Sequence, residues 1–280
     1  MAASARATNL APGPLLSDEV VVALKPDKNP DAMIAERDAL SRALSETLSR
    51  PVRVITPLSS AVIIEGLANG SIDLGYLSAT DMVNARQADA ADLLLAGLID
   101  GQPQYQSVWL CLADRPYRNI DDLRNRPVAF ASRSSTSGYL VPLLEMKKRG
   151  LIESDPAEFF GNVWFGSGYV SAVERVLAGE AEAAAVSDYV FLGDKHLTPE
   201  QKSRLKLLAT QGSVPTHVIA VSRRLDAESR DTLRDALLEL GRRHPDLQKT
   251  VFTSELAETD ADRHLAPVVA ALELVRQARN

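Results

Sequence analysis

Short apolar runs alternate with amphipathic helical stretches along this chain, and that alternation narrows its fold more than any other feature. Val20-Val21-Val22-Ala23-Leu24 is a run of strand length, and Lys25 to Pro30 follows as a loop. Leu40, Leu44 and Leu48 then recur every fourth residue among charged neighbours, which is the pattern of a helix with one buried face. Pro51 to Ile55 reads as the next strand. Ser59 and Ser60 open a helix that stops at Asn69-Gly70, and Ile72 to Tyr76 is a third strand leading to Ser78-Ala79-Thr80 at another helix start. Strand and helix in strict succession build βαβ units and a parallel sheet. Ligands of such sheets sit beyond the carboxyl ends of the strands. Here those ends carry Lys25 to Pro30, Thr56 to Ser60 and Tyr76 to Thr80.

The pattern then restarts. Leu93 to Gly97 and Tyr105 to Leu112 are strands separated by a turn at Asp100-Gly101-Gln102-Pro103. A short capped helix at Asn119 to Leu123 follows, then a strand around Val128. Val163-Trp164-Phe165 precedes Gly166-Ser167-Gly168-Tyr169 and a helix ending at Gly179. Ala183 to Val186 leads into Ser187-Asp188-Tyr189, and Leu205 to Leu208 and Val218 to Val221 are two more strands. From about Asp226 the tail reads as helical. The expected architecture is therefore α/β, with two βα lobes joined by a two-strand hinge near 107–112 and 216–222. The expected boundaries are a disordered leader at 1–17, lobe one at 18–112 plus 222–280, and lobe two at 113–221.

Composition excludes several classes. Hydrophobic residues make up 45% and charged residues 24% of the 280, a soluble globular balance. The net charge of −6, with no Lys/Arg-rich block, argues against nucleic acid as a partner. The single cysteine, Cys111, sits in an apolar run and allows no internal disulfide, cysteine metal site or redox pair. No apolar run is long enough to span a membrane, and the N-terminus lacks the apolar core of an intact secretory signal. Phosphate-loop, nucleophile-elbow, HExxH and GxGxxG motifs are absent, so no enzyme, cofactor or metal is expected. A serine nucleophile with His217 as its base would also need an orienting third group, which the sequence does not supply.

Chemistry concentrates at Ala131 to Pro142. An apolar run, Val128-Ala129-Phe130, ends there, and four consecutive hydroxyl residues, Ser134 to Ser137, precede Gly138 and a helical pattern. The first N–H groups of a helix lack intrahelical partners and carry partial positive charge, so hydroxyls added there make an anion site. The same arrangement also caps an ordinary helix, although one hydroxyl suffices for that. Other candidates have equally open readings. Tyr76 and Tyr105 are core aromatics or ligand contacts. Asp188 caps a helix or lines the site. His217 lines the site or belongs to a hinge, and Lys25 is a solvated cation or an anion contact.

Ser135-Thr136-Ser137-Gly138-Tyr139-Leu140-Val141-Pro142 resembles the STSGYLVP stretch of the periplasmic phosphonate- and phosphite-binding proteins of ABC importers. The resemblance extends in order through Asn69 to Tyr76, Asp100 to Ser107, Ile120 to Leu123 and Leu177 to Ala183. It implies a type II periplasmic binding protein fold, two lobes closing on a tetrahedral oxyanion, with Ser135, Thr136 and Ser137 holding its oxygens. It also implies a monomeric periplasmic receptor that hands its cargo to a membrane permease. The chain departs from the family at three places. Tyr169 stands where the family has a ligand-binding histidine. Ser59-Ser60 replaces an Asp-Tyr pair. His217 falls where aminoalkylphosphonate binders carry an acid. These departures point to a compact ligand, phosphite, methylphosphonate or a related phosphonate, or phosphate. The ligand-binding set expected is Ser135, Thr136, Ser137, Tyr169, Ser59, Ser60, Tyr76, Tyr105, Asp188 and His217. A ligand-sensing module or an enzyme on the same fold is the alternative.

Overall fold

A computed structural model of the protein describes residues 18–25, 33–194, 196–252 and 254–277. The expected leader at 1–17 and positions 26–30 of the first loop lie outside the described residues. In chain order the elements begin β1 (Val20–Ala23), α1 (Met33–Leu48), β2 (Val52–Ile55), α2 (Ser60–Asn69), β3 (Leu74–Leu77), α3 (Ala79–Gln87), β4 (Ala91–Leu98) and β5 (Gln104–Leu112). A 3-10 turn (Ile120–Leu123), β6 (Pro127–Phe130), a π-helical turn (Thr136–Leu140) and α4 (Val141–Lys148) follow. Next come β7 (Asn162–Phe165), α5 (Tyr169–Leu177), β8 (Ala183–Ser187), α6 (Asp188–Leu192) and α7 (Pro199–Ser203). The chain continues through β9 (Leu205–Pro215), β10 (Val218–Ser222), α8 (Ala227–Arg243), α9 (Pro245–Phe252), β11 (Glu255–Ala257) and α10 (Ala261–Gln277).

These elements form two compact units. The first holds a six-stranded sheet in the order β11-β4-β10-β3-β1-β2. Its strands β2, β1 and β3 are parallel, and β10 returns antiparallel between β3 and β4. Strands β1 and β3 are buried along their whole length, as expected where helices cover both faces of a parallel sheet. Helix α1 buries Leu40, Ala43 and Leu44, the face its spacing predicts, in a core shared with Leu233, Leu237 and Phe252. Helix α2 stops where expected. Gly70 takes the left-handed conformation (φ 81°), and its N–H closes on the Gly66 carbonyl.

The second unit holds a five-stranded sheet in the order β7-β6-β8-β5-β9. Strands β7, β6 and β8 are parallel, and β5 runs antiparallel to both β8 and β9. The plan of the first sheet is thus repeated, three parallel strands flanked by a returning one. Trp109, Phe130, Tyr139 and Phe160 fill one core of this unit, while Val173, Val176, Ala184 and Val186 fill the other.

The division of the chain differs from the sequence expectation. It passes between units after Leu77, Val83, Gly97, His217 and Glu258. Strand β5, expected to cross between lobes, lies entirely in the second sheet, and β10 lies entirely in the first. The tail is also divided. A short strand, β11, interrupts it and joins the edge of the first sheet. The last helix, α10, buries Ala271 and Leu274 in the core of the second unit. Leucine spacing marks α10 as a helix with a buried face but does not say which core receives that face.

Candidate functional site

Because β6, β7 and β8 are parallel neighbours, their carboxyl ends fall on one edge of the second sheet. Strand β6 leads into the Ser/Thr turn, β7 leads towards Tyr169, and β8 ends at Ser187. Antiparallel β5 begins at the same edge, bringing Tyr105 and Ser107. The topology alone therefore collects residues more than eighty positions apart.

Ser137 is the centre of this collection. It is fully buried, its hydroxyl lying 2.7 Å from the Ser187 hydroxyl and 2.8 Å from the Tyr169 hydroxyl. The Ser107 hydroxyl donates to the Ser137 carbonyl at 2.7 Å. Beside it, the buried Thr136 hydroxyl is 2.7 Å from that of Thr80, which the segment 78–83 carries into the second unit. Ser135 is half-buried at the mouth of the turn, and its hydroxyl accepts the Gly138 N–H at 3.0 Å. One hydroxyl of the turn is thus a helix cap, and two others face a hydroxyl cluster.

The helix these residues open is unusual. Its first turn, Thr136–Leu140, is π-helical and runs directly into α4. Such turns widen a helix and recur at functional sites. Gly138 is needed here for packing. A Cβ there would lie 2.5 Å from the Ala131 Cβ and 3.2 Å from the Ala185 carbonyl oxygen. The glycine lets the turn press against β8.

Three tyrosines surround the cluster. The Tyr105 and Tyr189 rings are 5.2 Å apart, and Tyr169 and Tyr189 meet edge to face at 6.1 Å. Burial, reinforced by the neighbouring Tyr169, pushes the Tyr105 and Tyr189 phenols well above the usual tyrosine range. They therefore remain neutral hydrogen-bond donors. His196 packs its ring against Tyr169 and Tyr189. Arg133, the cation within the stretch, lies over the Phe165 ring at 3.9 Å. Arg133 also lines a cavity of about 460 Å³ with Tyr139, Asn162 and Phe165, and no member of the hydroxyl cluster lines it.

The remaining expected residues divide. The Asp188 carboxylate accepts backbone N–H groups from Tyr189 at 2.8 Å and from Gln106 at 3.1 Å. His217 is half-buried in the two-residue link between β9 and β10. Ser59, Ser60 and Tyr76 belong to the first unit. Ser59 is the exposed N-cap of α2 without a side-chain cap bond, and Ser60 begins that helix. Tyr76 is buried. Its hydroxyl donates to the Phe252 carbonyl and its ring packs on Phe252, so the phenol serves the main chain.

Ser187, Thr80, Ser107 and Tyr189 join the cluster although the sequence had not marked them as ligand-binding. The signal for Ser187 and Thr80 was available, since each follows a strand at a helix start, as Ser135 to Ser137 do. Ser107 and Tyr189 enter through strand pairing and ring packing, which single-sequence spacing does not reveal.

Residues 22–263 match the family described as ABC transporter, phosphonate, periplasmic substrate-binding protein. The phosphate-import protein PhnD of Mycolicibacterium smegmatis is 26% identical over 179 residues, 61% of this chain and 56% of that protein. A probable ABC transporter phosphite binding protein, PhnD1, of Prochlorococcus marinus is 23% identical over 189 residues, 65% of this chain and 62% of that protein. The chain thus matches less than two thirds of the length of these curated relatives. Among solved structures, XAC2383 from Xanthomonas citri bound to ATP superposes with a TM-score of 0.78 at 20% identity, over 94% of this chain and all of that one. Prochlorococcus marinus PhnD1 in complex with methylphosphonate gives 0.74 at 19% identity, over 94% and 98%. The fold is that of the type II periplasmic binding proteins.

Proposed function

The chain belongs to the periplasmic phosphonate substrate-binding family of ABC transporters, and from that membership we propose that it is the monomeric receptor of an importer whose cargo is a compact phosphorus oxyanion. Phosphite, methylphosphonate and phosphate are the candidates. The observation that carries this reading is the buried Ser137 hydroxyl at the head of a helix, held between two other hydroxyls. A buried oxyanion is tolerated only where donors meet its lone pairs. Helix N–H groups supply such donors, the Ser135, Thr136 and Ser137 hydroxyls add to them, and the Tyr169 hydroxyl supports the site through its bond to Ser137. Phenols kept neutral by burial do not repel the anion.

Two features favour a ligand without an ammonium group. By the motif resemblance, His217, half-buried between β9 and β10, falls where aminoalkylphosphonate binders carry an acid. The Asp188 carboxylate, the acid beside the cluster, is engaged by two main-chain N–H groups. A receptor of this kind works in the periplasm and delivers its cargo to a membrane permease. Among the described residues, no helix is long and apolar enough to cross a membrane.

Titration calorimetry against phosphite, methylphosphonate, aminoethylphosphonate, phosphate, sulfate and ATP tests the proposal. One of the compact phosphorus oxyanions is expected to bind at least tenfold more tightly than aminoethylphosphonate, about 1.4 kcal/mol. Absence of binding to every phosphorus oxyanion sinks the reading. A preference for aminoethylphosphonate sinks the cargo assignment alone, and preference for ATP moves the protein to the sensing alternative.

A further inference from the structure

We propose that Ser187 is a positioning residue that fixes the direction of the Ser137 hydroxyl proton, and so determines whether that hydroxyl can donate to a bound oxyanion. The inference rests on the oxyanion reading above. It starts from an anomaly at a helix start. Ser187 occupies the N-cap of α6 in the extended conformation that capping uses, yet its hydroxyl makes no cap bond. A serine at that position ordinarily accepts an N–H from the first helical turn. Here the Tyr189 N–H goes to the Asp188 carboxylate instead, and the Ser187 hydroxyl lies 2.7 Å from that of Ser137. Both serines are fully buried, so no solvent competes for the bond.

The sheet register explains why Ser187 faces Ser137. Ser107 on β5 is paired directly with Ser187 on β8, and both side chains reach Ser137. The Ser107 hydroxyl donates to the Ser137 carbonyl, and the Ser187 hydroxyl is hydrogen-bonded to the Ser137 hydroxyl. One cross-strand pair thereby holds the main chain and the hydroxyl of the same residue.

A serine hydroxyl has one proton to donate and two lone pairs. If Ser137 spends its proton on a neighbour, it presents only lone pairs to an anion and repels it. When Ser187 and Tyr169 both donate into Ser137, its lone pairs are filled and its proton is left for the ligand. Chains of this kind also polarise each hydroxyl in turn, strengthening the terminal donor. Ser187 thus acts through Ser137 without touching the ligand.

A double-mutant cycle on the full chain tests this, with methylphosphonate, phosphite and phosphate as probes in titration calorimetry. Ser187→Ala is expected to weaken the best-bound probe roughly tenfold, the upper range for one hydrogen bond. In a Ser137→Ala background the same change is expected to have no further effect. Should Ser187→Ala not fold, Ser187→Cys, which nearly keeps the volume but donates weakly, carries the same expectation. Unchanged affinity in the single variant overturns the proposal, as do losses that add in the double variant, since those mean direct ligand contact. Wild-type protein that binds no probe overturns the oxyanion reading and this inference together, whereas a binding wild type with an indifferent Ser187 overturns this inference alone.

Discussion

Tyr169 can donate one hydrogen bond but carries no charge, so its contribution to an anion site is separable from its ring. Its hydroxyl lies 2.8 Å from that of Ser137, while the residue itself is only half-buried. Tyr169→Phe keeps the ring beside Tyr189 and removes the donor. We expect oxyanion affinity to fall by about 0.5–1.5 kcal/mol, the worth of one hydrogen bond, with little change in thermal stability. Calorimetric titration of this variant showing wild-type affinity would remove Tyr169 from the site. The Tyr76 hydroxyl, bonded to the Phe252 carbonyl within the first unit, gives the opposite expectation. Tyr76→Phe should leave affinity unchanged and cost little stability, because Ser254 also donates to the Phe252 carbonyl and keeps it satisfied. Both tyrosines look alike in the sequence, each near a strand end. Only tertiary packing separates a phenol facing hydroxyls from one facing a carbonyl. Alkaline titration followed by tyrosine absorbance probes the cluster as a whole. Desolvation raises the Tyr105 and Tyr189 pKa values, so their stabilising effect is full below about pH 10 and lost as pH rises through the folded values. These two phenols should ionise with unfolding and not with the exposed tyrosine signal.

The element that the sequence announces most clearly is the turn and helix from Ser135 onward, and its register was legible for a physical reason. Hydroxyl residues, a glycine and an apolar periodic run are all local signals. The π-helical first turn was not legible, because it depends on what lies behind it. Gly138 sits against Ala131 and the Ala185 carbonyl, so the wide turn requires both a glycine and a small neighbour. Gly138→Ala therefore tests the element directly. The added Cβ meets backbone of β8, which cannot rotate away, and overpacking of this sort costs about 1–3 kcal/mol. Because the same shift displaces Thr136 and Ser137, oxyanion affinity should fall together with the denaturation midpoint. A variant that loses stability and keeps full affinity would mean the turn adjusts without moving its hydroxyls. The short α6 gives the same lesson from the other side. Its start was legible as Ser187-Asp188-Tyr189, with Asp188 as a candidate cap, but the release of Ser187 from that role was not, and Asp188 accepts the Tyr189 N–H that Ser187 leaves.

At the scale of the molecule, the alternation of strands and helices made two α/β units legible, while the assignment of the tail was not, because amphipathic helices carry no address. Helix α10 reaches the second unit through a specific contact as well as through its apolar face. His264 is buried, and its Nε2 donates to the Thr216 carbonyl at 3.1 Å, in the link where the chain leaves that unit for β10. When the ring is neutral, donation to this carbonyl fixes its one proton on Nε2. Burial lowers the His264 pKa below its ordinary value, with the Thr216 carbonyl opposing the shift. The unfolded chain then binds a proton more readily than the folded one. The stability gained by burying the neutral ring is full above about pH 6.5 and is lost as pH falls through that value towards the folded pKa. Asp73, in the first unit, starts from the lower carboxylate range, is raised from it by desolvation and acts in the opposite sense. Between about pH 7.5 and 5.5 the histidine should therefore dominate. Urea denaturation across that window should show wild-type protein losing stability on acidification. His264→Gln, which keeps an amide donor near the Thr216 carbonyl but cannot take up a proton, should lose less. Equal slopes for the two proteins would show that protonation of the tail helix does not set the acid limit of this fold.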